Sequence, residues 1–498
     1  MKPIGSITLF YRFLDAEDRA IMDAIMEKAT GYVDFIHMLG QHLLKTEASP
    51  KLVHVCVRLA RTIESYGLME RLGERYPEND LIRPHYVWAR VRTGTAEVSA
   101  LEEATRVAIE AHHDDWIAFS FHFLRLSTDL PASTKAHLDN LSAMDRIVKD
   151  NPELSFLGSY VPYLISMDKE REGFIDEAID LRKKSVAIAV EFDDYILAIP
   201  ILRELAPLMM KKYPSEAMRI IKNLEDYYPH LGTPASESSY YQSIRGYLHL
   251  IRGEFDTSVE AFERAIDIVE KQHPFSTLRN VPHRLALTYL DMGRMESAAE
   301  WANFALASKS TSTAYPFLMP LAHLILSCAL CETGDVDEAE EQLSLGHESS
   351  LKIGNESILI YSYYASGLID IAQNDILSGM ASLERALEIA ERLIIRDRIH
   401  SILLKLVECE IALSDADVSE QTSGRWMDRL ESVLLKDDFP GIRGLSSLLK
   451  ARFRIKQGRI KEAYEILKET RTLASNPGLQ YLNEKTDEVQ SKVEHTSG

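Results

Sequence analysis

Residues 239–266 read SYYQSIRGYLHLIRGEFDTSVEAFERAI, and residues 280–306 read NVPHRLALTYLDMGRMESAAEWANFAL. The two stretches repeat one pattern around Gly253 and Gly293, which lie 40 residues apart. Apolar residues at helical spacing flank each glycine, which predicts two helices joined by a turn. Small residues recur seven positions before each glycine, five after it and twelve after it. They are Gly246 and Ala286, Ser258 and Ala298, and Ala265 and Ala305.

Small side chains at these offsets indicate that the two helices of a pair, and the next pair, cross at close range. The spacing resembles that of the tetratricopeptide repeat family, in which small and larger residues alternate around a turn. The larger positions are present too, since Tyr289 lies four residues before its turn and Phe262 lies nine after its own. The resemblance implies an all-α fold, a right-handed superhelix of antiparallel helix pairs.

The same period predicts turns along most of the chain, and most steps are 40 or 41 residues. We therefore expect a repeat array over residues 81–478. Residues 1–80 are helical by pattern but divergent, and they are interpreted as an N-terminal cap or degenerate repeats, with a separate small helical domain as the alternative. Residues 479–498 are predicted to form a capping helix and a polar tail. The predicted turns are Gly94-Thr95, near Pro131–Ser133, Gly173, Tyr213-Pro214, Gly253, Gly293, Gly334, Asn374, near Ser414 and Gly458.

Prolines recur ten to fourteen residues before several of these turns. We expect them in the first turn of the first helix of a pair, where no backbone hydrogen bond is lost. They are Pro162, Pro200, Pro282 and Pro320.

Composition limits the class of protein. A net charge of −20 and a pI near 5.3 disfavour a general binder of nucleic acid or anionic membranes, whose affinity comes from Lys and Arg. Four cysteines in 498 residues give no disulfide framework, which fits a reducing compartment. The sequence contains neither a signal peptide nor an apolar stretch long enough to span a bilayer, so we expect a cytoplasmic protein.

No motif indicates catalysis, a cofactor or a metal. Cys328 and Cys331 form a C-x-x-C in the middle of a predicted helix, without the further ligands that zinc needs, and are interpreted as small buried side chains. His112 and His113 are neighbours and would point about 100° apart on a helix, so a shared metal is disfavoured. We expect no enzyme.

The resemblance also implies a binding surface. In such proteins the side chains thirteen, ten, nine and six residues before the turn project into a concave groove, and tyrosine recurs here at those offsets. Tyrosine combines apolar area with a hydroxyl, which suits an interface. The alternative is that these tyrosines pack between neighbouring repeats. The predicted groove residues are Tyr160, Tyr163, Arg203, Tyr240, Tyr247, His283, Arg284, Tyr361 and Tyr364.

We therefore expect a non-catalytic scaffold or adaptor that binds a peptide or protein segment in an aromatic groove. The alternative is a regulatory sensor that binds a small effector or signalling peptide and acts in trans, because the long repeat resembles helical sensor domains of bacterial signal-transduction regulators. Co-chaperone members of the family hold an acidic C-terminal peptide with Lys and Asn, and these offsets hold Tyr, Ser, Leu and Cys instead, so that ligand is disfavoured. Homodimerisation through a terminal repeat stays open.

Overall fold

The structure is a computed structural model, and it describes residues 7, 9–63, 65–93, 95–112, 114–126, 135–272, 281–307, 318–353, 356–413, 424–435 and 439–497. Every regular element in these ranges is a helix, so the fold is all-α, as predicted. None of the helices in the described ranges is long and apolar enough to cross a membrane. Four features of the sequence lie outside these ranges: Gly94, Pro131–Ser133, Ser414 and His113.

The chain folds as two compact units. The first unit comprises Met1–Met209, Arg219–Tyr241 and Ile268–Thr277, and the second comprises Met210–Met218, Gln242–Asp267 and Leu278–Gly498. The boundaries expected after residues 80 and 478 stay predictions.

The N-terminal helices run as far as Tyr227. They are α1 Ala16–Met26, α2 Tyr32–Leu43, α3 Pro50–Thr62, α4 Tyr66–Arg75, α5 Arg83–Arg92, α6 Val98–Ala111, α7 Asp115–Leu126, α8 Lys135–Asp150, α9 Tyr160–Arg171, α10 Ile175–Glu191, α11 Tyr195–Lys212, α12 Pro214–Ala217 and α13 Arg219–Tyr227. Short 3-10 helices cover Tyr11–Phe13, Pro152–Ser159, Tyr228–Leu231 and Ala235–Glu237.

The remaining helices continue the series to the C-terminal end of the described chain. They are α14 Ser239–Arg252, α15 Phe255–Gln272, α16 Val281–Met292, α17 Met295–Ala307, α18 Leu318–Thr333, α19 Val336–Ile353, α20 Glu356–Ala372, α21 Ile376–Leu393, α22 Arg396–Leu413, α23 Arg425–Leu434, α24 Pro440–Lys456, α25 Ile460–Ala474 and α26 Tyr481–Ser497. Within the second unit, consecutive helices pack as antiparallel pairs, and the second helix of a pair contacts the first helix of the next.

Six of the predicted turns lie between consecutive helices and share one backbone conformation. At each turn residue the chain takes a positive φ, which glycine and, less readily, asparagine adopt. The N–H of the following residue then donates to a carbonyl five residues earlier, as Glu254 does to His249 at 2.9 Å, and this bond ends the first helix. The turn residues are Gly173, Gly253, Gly293, Gly334, Asn374 and Gly458. Tyr213 lies between α11 and α12, also as predicted.

The small residues predicted at the helix crossings are buried where the pairs meet. Gly367 and Gly379 face each other across the α20–α21 pair, and a Cβ built on Gly367 would lie 2.9 Å from the carbonyl oxygen of Gly379. Ser258 Oγ donates to the Gly246 carbonyl at 2.8 Å across the α14–α15 pair, which satisfies the hydroxyl without widening the crossing. Steric fit therefore explains the spacing of small residues.

One proline position differs from the prediction. Pro162, Pro282 and Pro320 lie within the first turn of α9, α16 and α18, whereas Pro200 is inside α11. The expectation failed because α11 begins at Tyr195, earlier than the repeat pattern required.

Candidate functional site

A pocket of about 440 Å³ opens in the first unit, between the start of α2, the end of α3, α11 and the segment 228–240. This size falls within the range of about 300–1,000 Å³ that is usual for ligand pockets. The pocket closes on one side where Gly31 passes so near Thr233 that a Cβ on Gly31 would lie 2.0 Å from the threonine Oγ1. The larger part of its exposed lining surface is apolar, and the apolar and aromatic residues of the wall include Tyr32, Val33, Ile63, Ile196, Ile199, Pro200, Tyr228, Leu231 and Tyr240.

Two predicted groove residues meet in this pocket. The Arg203 Cζ lies 4.9 Å from the centroid of the Tyr240 ring, which is a cation–π distance. The Tyr240 hydroxyl donates to the Ile63 carbonyl oxygen at 3.2 Å, so the ring is held on the wall formed by the end of α3. The pair presents an apolar ring face and a guanidinium side by side.

Eight other polar residues line the pocket, and two of them are carboxylates: Thr30, Asp34, His37, Thr62, Thr233, Glu237, Ser238 and Ser239. Asp34 Oδ2 accepts from the Thr30 backbone N–H at 2.9 Å and from the Thr30 hydroxyl at 3.0 Å. Burial lowers the pKa of His37, although Asp34 acts in the opposite direction. Burial also raises the pKa of Tyr228 to about 12, so its phenol is neutral at physiological pH.

Tyr160 and Tyr163 lie on α9, also in the first unit, and both contact other parts of that unit. The Tyr160 ring is buried and packs edge-on against Phe119 and Phe123, with centroids 5.7 and 5.1 Å away. The Tyr163 hydroxyl donates to Glu204 Oε2 at 2.8 Å. Burial, the largest cause, raises the pKa of Tyr163 well above its usual value. These contacts are of the kind expected if the tyrosines pack between helices.

In the second unit, Tyr247 lies against Arg284 and Tyr361 lies against Arg398, so both rings face guanidinium groups of the chain itself. The Arg284 Cζ lies 4.0 Å from the Tyr247 ring centroid, and the Arg398 Cζ lies 5.4 Å from that of Tyr361. Arg398 is held in turn by Asp291, 2.5 Å away. The guanidinium of Arg398, on α22, therefore lies against the Tyr361 ring, which the sequence predicts to contact a ligand.

Tyr364 lines a second pocket, of about 430 Å³, within the second unit. Lys405 projects into this pocket and is paired with Glu332 at 2.6 Å and Glu408 at 3.3 Å. Glu408 also lies 3.3 Å from Arg452. The polar groups named here pair with one another within the chain.

His283 and the cysteines lie in the interior. His283 Nε2 donates to the Leu318 carbonyl oxygen at 2.9 Å, and burial lowers the pKa of this histidine to about 4. Cys328 and Cys331 are buried thiols, as predicted, and burial raises the pKa of Cys331 to about 11. Among the described residues, no three or more His, Cys, Asp or Glu side chains are grouped so that they could hold a metal ion.

Two arginines that the repeat pattern does not single out lie on α3. The helix begins after Ser49, whose Oγ accepts the Leu52 N–H at 3.1 Å, and Pro50 occupies its first turn. Arg58 and Arg61 are one turn apart on this helix and are buried. The signal was available, because two arginines interrupt the otherwise apolar run LVHVCVRLAR at residues 52–61.

No protein-family model matches the chain, and no curated protein does. Among solved structures, a Rap protein complexed with competence and sporulation factor matches with a TM-score of 0.44 and 14% identity, over 68% of this chain and 99% of that chain. Yeast Tom70 matches with a TM-score of 0.33 and 13% identity, over 96% of each chain. At these scores neither likeness bears on function.

The helices, turns and pocket described above define an all-α protein of consecutive helix pairs with a ligand-sized pocket in its first unit.

Proposed function

We propose that this chain is a non-catalytic binding protein whose first unit holds a peptide or protein segment in the pocket lined by Arg203 and Tyr240. The observation that carries the proposal is the pocket itself, about 440 Å³ with a mostly apolar and aromatic wall. Such a wall can pack against an apolar or aromatic side chain, and the Arg203 guanidinium can donate to a carbonyl or carboxylate oxygen of the same segment.

The contrast with the second unit supports the choice of pocket. There the arginine nearest Tyr361 lies 2.5 Å from a carboxylate of the chain, whereas Arg203 stacks on a ring and lies 3.7 Å from Glu204. The Arg203–Glu204 pair at 3.7 Å is weaker than the Arg398–Asp291 pair at 2.5 Å, and Arg203 lines the pocket. Aromatic rings and arginines that line a pocket are also the residues that dominate binding energy at interfaces.

A displayed library of random short peptides tests the proposal. Peptides selected on the wild-type chain should bind Tyr240→Ala and Arg203→Gln at least about tenfold more weakly, because each change removes a binding contact worth about 1.4 kcal/mol or more. Tyr464→Ala is the matched control, since Tyr464 is an exposed tyrosine on α25, outside the pocket. Equal binding of the selected peptides to wild type and to both pocket variants would refute the assignment.

A small effector is the second candidate ligand, in a sensor that acts in trans. The pocket volume favours it, because about 440 Å³ would enclose a small molecule, whereas a longer peptide would extend beyond it. A library that yields no peptide, together with a metabolite that raises the melting temperature of wild type but not of Arg203→Gln, would favour the sensor over the adaptor.

A further inference from the structure

Arg58 and Arg61 form a pair of buried cations inside the first unit. They are three residues apart on α3, so they share one face of the helix. Arg58 is 3% exposed and Arg61 is 8% exposed. Burying a guanidinium removes its hydration, and this cost is normally offset by a carboxylate or by a full set of hydrogen bonds.

Aromatic rings cover the faces of both guanidinium groups. The Arg58 Cζ lies 5.2 Å from the Phe10 ring centroid and 5.8 Å from that of Tyr160. The Arg61 Cζ lies 4.2 Å from the Phe123 centroid. Stacking satisfies the face of a guanidinium but not its N–H edge, which needs acceptors in the plane.

The N–H edges are incompletely satisfied. Arg58 Nη1 donates to the Ser120 hydroxyl at 2.5 Å, whereas Arg58 Nε and Arg61 Nη1 have no hydrogen-bond partner in the described part of the chain. Buried donors without acceptors are rare in folded proteins, and places that bind an ion are among the settings in which they occur.

Acidic side chains do not neutralise the pair. Among the described residues, no carboxylate lies within ion-pair distance of Arg58 or Arg61. Asp194 is the acid that acts on Arg58, and its Oδ1 accepts the Leu197 N–H at 3.3 Å at the start of α11. Burial raises the pKa of Asp194 to about 7, so it carries only part of a negative charge at neutral pH.

Arg182 is another buried arginine of the first unit, and it is paired with a carboxylate. It is also 3% exposed, and its Nη2 lies 2.7 Å from Glu170 Oε2. Arg182 Nε also has no hydrogen-bond partner among the described residues, so Arg58 and Arg61 differ from Arg182 in that no described carboxylate lies within ion-pair distance of them.

We propose that Arg58 and Arg61 are the receptor for one oxyanion, a carboxylate or a phosphate, that enters the interior of the first unit. The anion accepts from the free N–H edges and neutralises two like charges that otherwise repel each other. Arg61 is reached first, because it keeps the larger exposed fraction. Tyr32 connects this site with the pocket, since it lines the pocket and its hydroxyl is hydrogen-bonded to Thr62 Oγ1, next to Arg61, at 2.5 Å. The inference goes beyond peptide binding and does not require it.

Thermal unfolding of the full chain at pH 7.5 tests the site with two probes, sodium phosphate and sodium acetate. Each is compared with sodium chloride at the same ionic strength. One of the two should raise the wild-type melting temperature by about 2 °C or more beyond chloride, because only the folded state binds it. A rise with phosphate alone identifies a phosphate receptor, and a rise with acetate a carboxylate receptor.

Arg61→Gln should lose this rise while its melting temperature in chloride stays equal to that of wild type or increases, because a repelled buried charge is removed. Arg58→Gln should behave in the same way and serves if Arg61→Gln does not fold. Arg182→Gln is the matched control and should keep the rise. The proposal is overturned if the folded Arg61→Gln or Arg58→Gln variant responds to the anion as wild type does, since the response would then be general salting-out. It is also overturned if neither anion exceeds chloride in wild type.

Discussion

Replacing Arg398 with methionine measures how far the second unit depends on one buried cation. Arg398 Nη2 lies 2.5 Å from Asp291 Oδ2, and Nε lies 3.1 Å from Asp397 Oδ2. Methionine keeps much of the apolar volume but removes both charge-assisted hydrogen bonds, each worth about 1.5–3 kcal/mol. Two buried carboxylates would then lack their cation. We expect the free energy of unfolding of the second unit to fall by about 3–5 kcal/mol, the usual cost of removing one partner of a buried ion pair.

Arg264→Met is the matched control for this change. Arg264 and Asp267 also belong to the second unit and form a pair of similar length, 2.8 Å, but their side chains are 48% and 32% exposed. Solvent screens such a pair, so its loss should cost less than about 1 kcal/mol. The two variants remove the same kind of side chain and differ in burial.

Hydrogen exchange followed by mass spectrometry is the assay, because it reports the stability of each segment separately. Peptides from α20 and α22 should lose protection by roughly 10²- to 4 × 10³-fold in Arg398→Met, since each factor of ten corresponds to about 1.4 kcal/mol. The same peptides should change less than about fivefold in Arg264→Met. Protection in Arg398→Met within about fivefold of wild type would refute the electrostatic account of this core.

Three further predictions concern the core. His283 has its pKa lowered to about 4 in the folded chain, against about 6.5 when unfolded, so the stability it contributes is complete above pH 6.5 and is lost as the pH falls towards 4. At pH 5 the loss in the free energy of unfolding is about 2 kcal/mol. The melting temperature of wild type should therefore fall more between pH 7.5 and pH 5 than that of His283→Gln. Equal falls in the two proteins would contradict this prediction. Gly367→Ala should lower the free energy of unfolding, measured in urea, by about 1–3 kcal/mol, because its Cβ meets the Gly379 carbonyl. Asn374→Gly should be nearly neutral, because the turn has a positive φ that glycine adopts readily. The four cysteines are all buried, so a thiol reagent at pH 8 should label the folded chain slowly and the unfolded chain rapidly; rapid labelling of any thiol before unfolding would show that the core is open.

The turns and the helix crossings could be predicted because their causes are local. A positive φ at Gly293 depends on that residue and its two neighbouring helix ends, and the crossing of α20 and α21 depends on Gly367 and Gly379, twelve residues apart. Pro200 shows the limit of this reasoning. A helix can begin earlier than a repeat pattern requires, and α11 does so at Tyr195.

Whether a predicted groove residue faces a ligand or another part of the chain could not be predicted from the sequence. It depends on contacts between residues that are far apart in the chain. Arg398 reaches Asp291 across 107 residues, and Lys405 reaches Glu332 across 73. These contacts of α22 decide whether a tyrosine in the second unit faces a ligand or an internal charge. A repeat offset gives the direction of a side chain relative to its own helix, but it does not say which later helix lies opposite.

Buried arginines in this chain fall into two groups, and charge compensation separates them. Arg182 and Arg398 each lie against carboxylates, so the folded chain already contains the negative charge that their burial requires. Arg58 and Arg61 have rings and one hydroxyl instead. Removing a compensated arginine leaves unpaired carboxylates and should lower stability in any salt. Removing an uncompensated one takes away a cost of folding, so the stability without an added anion should stay equal or rise, while the response to an added anion should be lost. This difference in sign is what makes the inferred site on α3 distinguishable from an ordinary element of the core.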